Sequence, residues 1–263
     1  MAIAALALTA VIAVFVGLSF LTAPRPTATT ETLAGADVLG PLQPIPAATF
    51  ASVGTGNQPM QIQRLPATPV LKGDSGKPLV FYGGAEYCPF CAALRWPLVV
   101  ALSRFGTFNG LKLTTSADAP ETFPGTPSLS FHKATYASAY IELSTVESET
   151  RTRQPLETPT AAQQKLVATY DKPPYVSRAG AIPLLDLGNQ YLLAGGAYTP
   201  ALLAGLTWQQ VSAAIVNPGT PQAQAVIGNA NYITAAICRL TGDQPADTCQ
   251  TTPIATIEAQ LSK

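Results

Sequence analysis

Charge is scarce in this chain. Only 11% of its 263 residues are Asp, Glu, Lys or Arg, and the fifteen basic residues balance the fifteen acidic ones. Proteins that bind nucleic acid attract the phosphates with an excess of clustered Lys and Arg. The chain has no such excess, so we expect no nucleic-acid partner.

Histidine and cysteine are also scarce, with one histidine and four cysteines. The cysteines fall into two local pairs, Cys88/Cys91 and Cys238/Cys249. A structural zinc site needs about four ligands, and what remains beside the first pair is His132 and a second pair whose wide spacing suits a disulfide better. We therefore expect no metal and no other cofactor. Even pairing of cysteines indicates an oxidising compartment.

Hydrophobic residues, by contrast, make up 47% of the chain, which is ample for a core. Residues 2–23 carry no charge, and a helix with ~1.5 Å rise per residue would span the ~30 Å hydrocarbon core of a bilayer over this length. A cleaved signal peptide is the alternative, but residues 20–24 match a small-x-small cleavage site poorly. We predict a transmembrane anchor over residues 1–23, with the bulk of the chain on the extracytoplasmic side of the cell membrane.

Composition divides the rest of the chain. Residues 24–46 are rich in Pro, Thr, Ala and Gly, which is typical of a linker. Residues 47–76 mix apolar positions with turn signals and predict a strand or hairpin that packs on the main domain, itself predicted over residues 77–263. After residue 200 the pattern is helical, alanine-rich and poor in charge. Either the outer faces of these helices meet another protein or lipid, or the pattern reflects alanine content alone.

Two cysteines three residues apart lie near the start of the main domain. Residues 78–82 form an apolar run that predicts a buried strand, and residues 92–105 have the apolar spacing of a helix. Cys88-Pro89-Phe90-Cys91 lies between them, where the helix begins, and Pro89 suits the first helical position because no N–H is needed there. Unpaired N–H groups and the helix dipole favour the thiolate form of a cysteine at such a place.

Short strands and a hairpin follow the cysteine helix. Residues 147–154 are charged and expected to be solvated, and residues 159–170 have helical spacing. Two apolar runs flank Gly188-Asn189, which predicts a two-residue hairpin turn, and the first run begins at Ile182-Pro183. The other predicted strands are residues 111–115, 128–131 and 139–143.

This order of parts resembles a thioredoxin fold. Residues 85–91, Ala-Glu-Tyr-Cys-Pro-Phe-Cys, look like the active-site turn of thioredoxins, with Tyr87 where many have tryptophan. The resemblance implies an α/β, thioredoxin-like domain with an inserted β-hairpin and a helical C-terminal extension. It also implies that Ile182-Pro183 carries the cis-proline that faces the cysteines.

The likeness to one family is closer. Residues 84–96, Gly-Ala-Glu-Tyr-Cys-Pro-Phe-Cys-Ala-Ala-Leu-Arg-Trp, and residues 99–106 are similar to a prokaryotic, membrane-anchored, thioredoxin-like family known as domain of unknown function 929. The resemblance implies the fold and a redox-type dithiol, but no established function. In one respect the chain departs from thioredoxins, because Tyr82 stands where they usually carry a buried aspartate. A phenol with a pKa near ~10 is a poor proton shuttle at neutral pH.

Thiol–disulfide exchange with exported proteins is the activity that these features predict. Cys88 would attack as the thiolate, a mixed disulfide would form against Pro183, and Cys91 would resolve it. The residues predicted to meet the substrate or partner are Tyr87, Phe90 and Ile182.

The alternative is a non-catalytic protein. In that case the domain is an accessory subunit that docks in a membrane protein complex, and the Cys88–Cys91 pair is merely inherited. Cys238 and Cys249 bracket a short polar loop and are predicted to form a structural disulfide, with relay of electrons to the first pair as the other possibility.

Overall fold

The computed structural model of the chain describes residues 31–262. The predicted membrane anchor and the first part of the predicted linker lie outside this range. Among the residues that are described, no helix is long and apolar enough to cross a membrane. Leu33 is the first residue of the compact unit that is described below.

A five-stranded mixed sheet forms the centre of this unit. β2 (Leu79–Gly84) is parallel to β7 (Glu142–Glu147) on one side and antiparallel to β8 (Leu184–Leu187) on the other. β9 (Tyr191–Ala194) and β1 (Gln63–Arg64) extend the sheet beyond β8, so that its order is β1-β9-β8-β2-β7. The hairpin predicted around Gly188-Asn189 is thereby confirmed. Its loop has three residues, 188–190, and not the predicted two, because Leu187 pairs with Tyr191.

Two smaller sheets interrupt the chain between β2 and β7. Their antiparallel pairs are β3 (Gly106–Asn109) with β6 (Thr135–Ser138), and β4 (Lys112–Thr115) with β5 (Pro127–Ser130). The strand predicted over residues 139–143 is wrong in its bounds, since β6 ends at Ser138, before this range, and β7 begins only at Glu142. The Ser138 hydroxyl accepts the N–H groups of Tyr140 and Ile141, which turns the chain there.

The described part of the chain contains eight α-helices. They are α1 (Ala36–Leu39), α2 (Ala47–Val53), α3 (Pro89–Leu102), α4 (Ala161–Tyr170), α5 (Trp208–Ile215), α6 (Pro221–Thr241), α7 (Ala246–Cys249) and α8 (Thr252–Leu261), with short 3₁₀ helices at Gly40–Leu42 and Pro200–Leu203. The fold is therefore a mixed α/β structure, with α3 and α6 on one face of the sheet and α4 on the other.

The alternation of side chains along β2 produces these two layers. Val80 and Tyr82 contribute to the larger core, which also contains α3 and α6. Phe81 points to the opposite face and packs in a smaller core with Tyr170 of α4. Successive residues of a strand face opposite sides of a sheet, so a strand that is apolar throughout requires cover on both faces.

α6 is an internal helix. Every residue from Ala225 to Cys238 is buried, and α2, α3, α5 and α8 all contact the helix. Gly228 permits a very close approach, because an added Cβ would come within 2.8 Å of the Gly56 Cα atom. The alanine-rich surface of α6 is thus used inside the domain, and the interpretation of this helix as a face for a partner or lipid is wrong.

The N-terminal segment differs from the sequence predictions. Composition predicts a linker up to residue 46, but α1 and the 3₁₀ helix after it bury Val38 and Leu42 in the larger core. The Ser212 hydroxyl of α5 donates a hydrogen bond of 2.5 Å to the Val38 carbonyl. Residues 47–76 contain the two-residue strand β1, which pairs with β9, so of the predicted strand or hairpin the strand is present. The helix α2 was not predicted; its apolar side chains three apart reach the core together.

Candidate functional site

Cys88 and Cys91 lie at the beginning of α3. Cys88 is the N-cap, and its sulfur accepts the Cys91 N–H at 3.3 Å, so that it satisfies a helix donor as the oxygen of a Ser or Asp cap would. The two thiols are free and not joined to each other. Cys91 is fully buried and Cys88 is 5% exposed, which makes Cys88 the outer sulfur.

The surroundings separate the acidities of the two thiols. The pKa of Cys88 is lowered to about 7, chiefly by the hydrogen bond with the Cys91 side chain. Burial opposes this shift, whereas the Cys91 N–H and the charge of Arg95 act in the same direction as the hydrogen bond. Burial raises the pKa of Cys91 well above its usual value, and the hydrogen bond with Cys88 raises it further. Near neutral pH, Cys88 is therefore divided between thiol and thiolate, whereas Cys91 retains its proton.

The start of β8 lies beside Cys88. The Cys88 thiol donates to the Ile182 carbonyl with an Sγ–O distance of 3.8 Å, and the Ile182–Pro183 peptide bond is cis. Pro183 is buried at a point where its missing N–H is not needed, because pairing with β2 starts only at Leu184. The structure thus brings Cys88, Cys91, Ile182 and Pro183 together.

Aromatic side chains border the site. Phe90 is 37% exposed, and its ring meets that of Phe123 edge-on, with 5.8 Å between centroids. The Arg153 guanidinium lies 3.8 Å from the centre of the Tyr87 ring. Tyr87 and Phe90 were candidates from the sequence, whereas Phe123 and Arg153 come from distant loops and were missed.

A buried ion pair lies near the cysteines. Arg95, four residues after Cys91 on α3, and Glu147, the last residue of β7, both have fully buried side chains. Two hydrogen bonds join them, Nε–Oε1 at 2.8 Å and Nη2–Oε2 at 2.6 Å. Arg95 Nη2 also donates to the Ala85 carbonyl at 2.8 Å, in the turn that precedes Cys88. The pair therefore ties the helix, the strand and the cysteine turn together.

The sequence interpretation of Glu147 is wrong. Residues 147–154 were expected to be solvated, whereas the Glu147 side chain has no exposed surface. Burial raises the pKa of this carboxyl, and the charge of Arg95 opposes the shift. One signal was present, since Arg95 is the single charged residue between Ala92 and Leu102 and a buried arginine needs a partner. The identity of that partner depends on the pairing of β2 with β7, which the sequence pattern did not reveal.

Tyr82 forms the inner wall of the site. It is fully buried on β2, and its hydroxyl has no hydrogen-bond partner among the described residues. A Cβ added to Gly84 would overlap Tyr82 Oη and lie 3.1 Å from Cys91 Sγ, so the phenol oxygen and the sulfur border the same space. Burial raises the pKa of Tyr82 well above its usual range, against the opposing charge of Arg95. The phenol is thus a hydrogen-bond donor and not a base.

The second cysteine pair lies elsewhere. Cys238 and Cys249 are joined by a disulfide. Leu240, two residues past Cys238, borders Gly188 at the end of β8 that is remote from Pro183. The two cysteine pairs are therefore not brought together in the structure.

His132 belongs to the packing around Glu147. Its ring is mostly buried, and Nδ1 lies 2.7 Å from Glu157 Oε1. The other oxygen of Glu157 accepts the backbone N–H of Glu147 at 2.8 Å. Within residues 31–262, no three His, Cys, Asp or Glu side chains are grouped so that they could hold a metal ion.

Comparison with known proteins identifies the family. No match was found among the curated proteins or the solved structures. Residues 71–239 match the family described as a domain of unknown function, DUF929, and this range contains the first cysteine pair, Arg95, Glu147 and Ile182-Pro183. The match confirms the resemblance drawn from the residues around Cys88. The chain belongs to the DUF929 family.

Proposed function

We propose that this protein is a membrane-anchored, extracytoplasmic thiol–disulfide oxidoreductase with a thioredoxin-like fold. The observation that carries the proposal is the position of Cys88, whose sulfur caps α3 at 3.3 Å from the Cys91 N–H. The pKa of Cys88 is lowered to about 7, chiefly by the hydrogen bond with the Cys91 side chain, and Cys91 lies behind it as a buried thiol. An outer thiolate with an inner resolving thiol is what disulfide exchange requires.

The topology supports the thioredoxin-like part of the proposal. β2, α3 and β7 follow one another as a parallel βαβ unit, although the two small sheets are inserted before β7. The hairpin β8–β9 then joins the other side of β2 in antiparallel fashion. The cysteines follow the first of these strands, and Ile182-Pro183 precedes the third. A thioredoxin fold has its parts in this order.

The proposed exchange has two steps. The Cys88 thiolate attacks one sulfur of a substrate disulfide; the Cys88–substrate bond forms, the substrate S–S bond breaks, and the freed substrate sulfur takes a proton. Cys91 then gives up its proton and attacks Cys88 Sγ, so that the Cys88–Cys91 disulfide forms and the second substrate sulfur leaves as a thiol. The substrate gains two electrons and the protein dithiol loses them, and the reverse sequence delivers a disulfide to a substrate dithiol.

The proposed location rests on two features. Residues 2–23 are uncharged and long enough to span a bilayer, and the Cys238–Cys249 disulfide is of the kind that persists in oxidising compartments. Alkaline phosphatase fused to the C-terminus should then be active in cells. An inactive phosphatase, together with an active cytoplasmic reporter fused at the same point, would place the domain inside the cell.

A non-catalytic accessory subunit is the second candidate, and one observation favours it. Cys88 is only 5% exposed, which restricts attack on a bulky protein disulfide. The exposed Phe90 ring beside it suits a docking surface equally well.

Exchange assays separate the two candidates. The full-length protein should reduce insulin or glutathione disulfide, Cys88→Ala should abolish the activity, and Cys91→Ala should accumulate mixed disulfides with several exported proteins. The matched control is the double variant Cys238→Ala/Cys249→Ala, which removes two sulfurs outside the site and should retain exchange. A wild type without exchange activity that co-purifies with one stoichiometric membrane protein would favour the subunit.

A further inference from the structure

The hydroxyl group of Tyr82 makes no hydrogen bond within the described structure. The side chain is fully buried, and Oη has no partner among the described residues. The great majority of buried polar groups are hydrogen-bonded, so an unpaired hydroxyl in the wall of a thiol site requires an explanation. Packing holds the ring in place, since it meets Phe131 edge-on at 5.2 Å and the Arg95 guanidinium lies 5.8 Å from its centre.

The hydroxyl and the Cys91 sulfur lie beside the same backbone position, that of Gly84. The space that a Gly84 side chain would fill is bordered by Tyr82 Oη and, at 3.1 Å, by Cys91 Sγ. Any larger residue at position 84 would therefore separate the phenol from the sulfur. The absence of a side chain at Gly84 is what allows the phenol oxygen and the sulfur to border this position together.

The negative charge that Cys91 carries in the resolving step requires stabilisation. The sulfur is fully buried, so no bulk water can stabilise its charge in the resolving step. The titratable and charged groups around it are Cys88, Tyr82 and Arg95, with Glu147 beyond Arg95. Glu147 is engaged by Arg95 through both oxygens, and Arg95 donates to Glu147, Ala85 and Ser128. Of these groups, the Tyr82 hydroxyl is the hydrogen-bond donor that has no acceptor in the described structure.

We propose that Tyr82 stabilises the Cys91 thiolate of the resolving step by donating its free hydroxyl hydrogen to Cys91 Sγ. The inference rests on the proposed function and concerns its second step. Cys91 loses its S–H proton to the departing substrate sulfur, the Cys91–Cys88 bond forms, and the Cys88–substrate bond breaks. Tyr82 keeps its own proton throughout. Tyr82, at the position where thioredoxins usually carry an aspartate, thus acts as a hydrogen-bond donor and not as a proton acceptor.

The test is Tyr82→Phe in the full-length protein, which removes one oxygen and keeps the ring. Cys88 is loaded with a methylthio group, and first-order closure of the Cys88–Cys91 disulfide is followed by mass spectrometry at fixed pH. We expect closure to slow roughly tenfold, as loss of a hydrogen bond to a charged group predicts. Titration of the reduced protein labelled with ¹³Cβ-cysteine should show the Cys91 midpoint raised by about one pH unit.

Tyr136→Phe is the matched control. Its hydroxyl donates to the Leu102 carbonyl at 2.9 Å, at the other end of α3, so its loss should leave both the closure rate and the Cys91 midpoint unchanged. If Tyr82→Phe closes and titrates like the wild type, the hydroxyl is only an unpaired core group and the inference is wrong. Both measurements use the protein's own cysteines, so failure of the wild type to reduce insulin would refute the proposed function without deciding this result.

Discussion

Two cysteine side chains in one helical turn differ in acidity because of their positions at a helix end. Cys88 accepts hydrogen bonds as the cap of α3, whereas Cys91 lies inside the core with its proton retained. The same principle applies to Asp186, which lies wholly buried in β8. At the scale of single residues, the chemistry follows from what surrounds each group.

Alkylation should reveal the acidity of Cys88. In the reduced protein, the rate of its reaction with iodoacetamide should rise with a midpoint near pH 7, because the folded structure lowers the pKa of this thiol to about 7. The stabilisation that the thiolate contributes is present above the unfolded pKa and is lost as the pH falls through about 7. Mass spectrometry of the Cys88 peptide gives the rate at each pH.

Cys91→Ala is the control for the alkylation profile. It removes the side-chain hydrogen bond that is the largest cause of the shift, so the Cys88 midpoint should move upwards. A wild-type midpoint at the value of an ordinary cysteine, ~8.5, would contradict the assignment of Cys88 as the thiolate.

Asp186 should make stability depend on pH. Its Oδ1 accepts the Asn189 N–H at 2.9 Å, its Oδ2 has no partner among the described residues, and burial raises its pKa to about 7. The folded carboxyl therefore keeps a proton that the unfolded one releases near pH ~4, and the free energy of unfolding should fall as the pH rises from ~4 to ~7. Asp186→Asn keeps the acceptor and should be more stable by about 1–3 kcal/mol at pH 8.

Urea unfolding at a series of pH values measures this effect. Other groups titrate in the same window, so the informative quantity is the difference between Asp186→Asn and the wild type at each pH. Parallel curves for the two proteins between pH 4 and 8 would show that Asp186 is ionised in the folded state as readily as in the unfolded one.

At the scale of elements, side chains far apart in sequence fasten helices to strands. Arg95 on α3 and Glu147 on β7 meet with both side chains fully buried. A buried ion pair brings little net stability over an apolar pair, but removing one partner leaves an uncompensated charge in the core. The pair therefore matters most for holding α3, and the cysteines at its start, at a defined place on the sheet.

Single and double substitution of this pair should have opposite consequences. Arg95→Met should lower the free energy of unfolding by about 3–5 kcal/mol, because Glu147 loses its partner, and adding Glu147→Leu should restore most of the loss. The control is Arg151→Met, whose partner Asp118 has 75% of its side chain exposed, with an expected cost of at most about 1 kcal/mol. Equal urea midpoints for Arg95→Met and Arg151→Met would mean that the buried charge is compensated in another way.

At the scale of the whole molecule, α6 organises the C-terminal half. It is buried from Ala225 to Cys238, and the disulfide to Cys249 fastens its last turn to α7. A cross-link stabilises a fold by restricting the unfolded chain, and the loop that it closes here spans a sequence separation of 11.

Removal of the second disulfide should therefore destabilise the domain without altering the site. Cys238→Ala/Cys249→Ala is expected to lower the free energy of unfolding by about 3 kcal/mol, measured by urea unfolding without reductant. Alkylation of Cys88 should retain its pH midpoint in this variant, since the two pairs lie at different ends of β8. A changed midpoint would show that the pairs communicate.

Local patterns predicted the elements that carry the site. The apolar run of β2, the cysteines with Pro89 at the start of α3, and the Gly188-Asn189 turn all express preferences that act within a few residues. Prediction from local patterns failed where a segment's structure depends on contacts with distant residues. The segment around Val38 has the composition of a linker, but it supplies apolar side chains to the larger core and contacts α5.

The sequence by itself determined the family, the cysteine motif at a helix start and the apolar strand before it, because each depends on residue type and short-range spacing. Only the tertiary structure decided that Glu147 is the partner of Arg95, that α6 is internal, and that the Tyr82 hydroxyl and the Cys91 sulfur border one space. Those facts follow from the order of strands in the sheet and from packing between distant segments. The partners in such contacts lie far apart in the sequence, so no short window of sequence contains both of them.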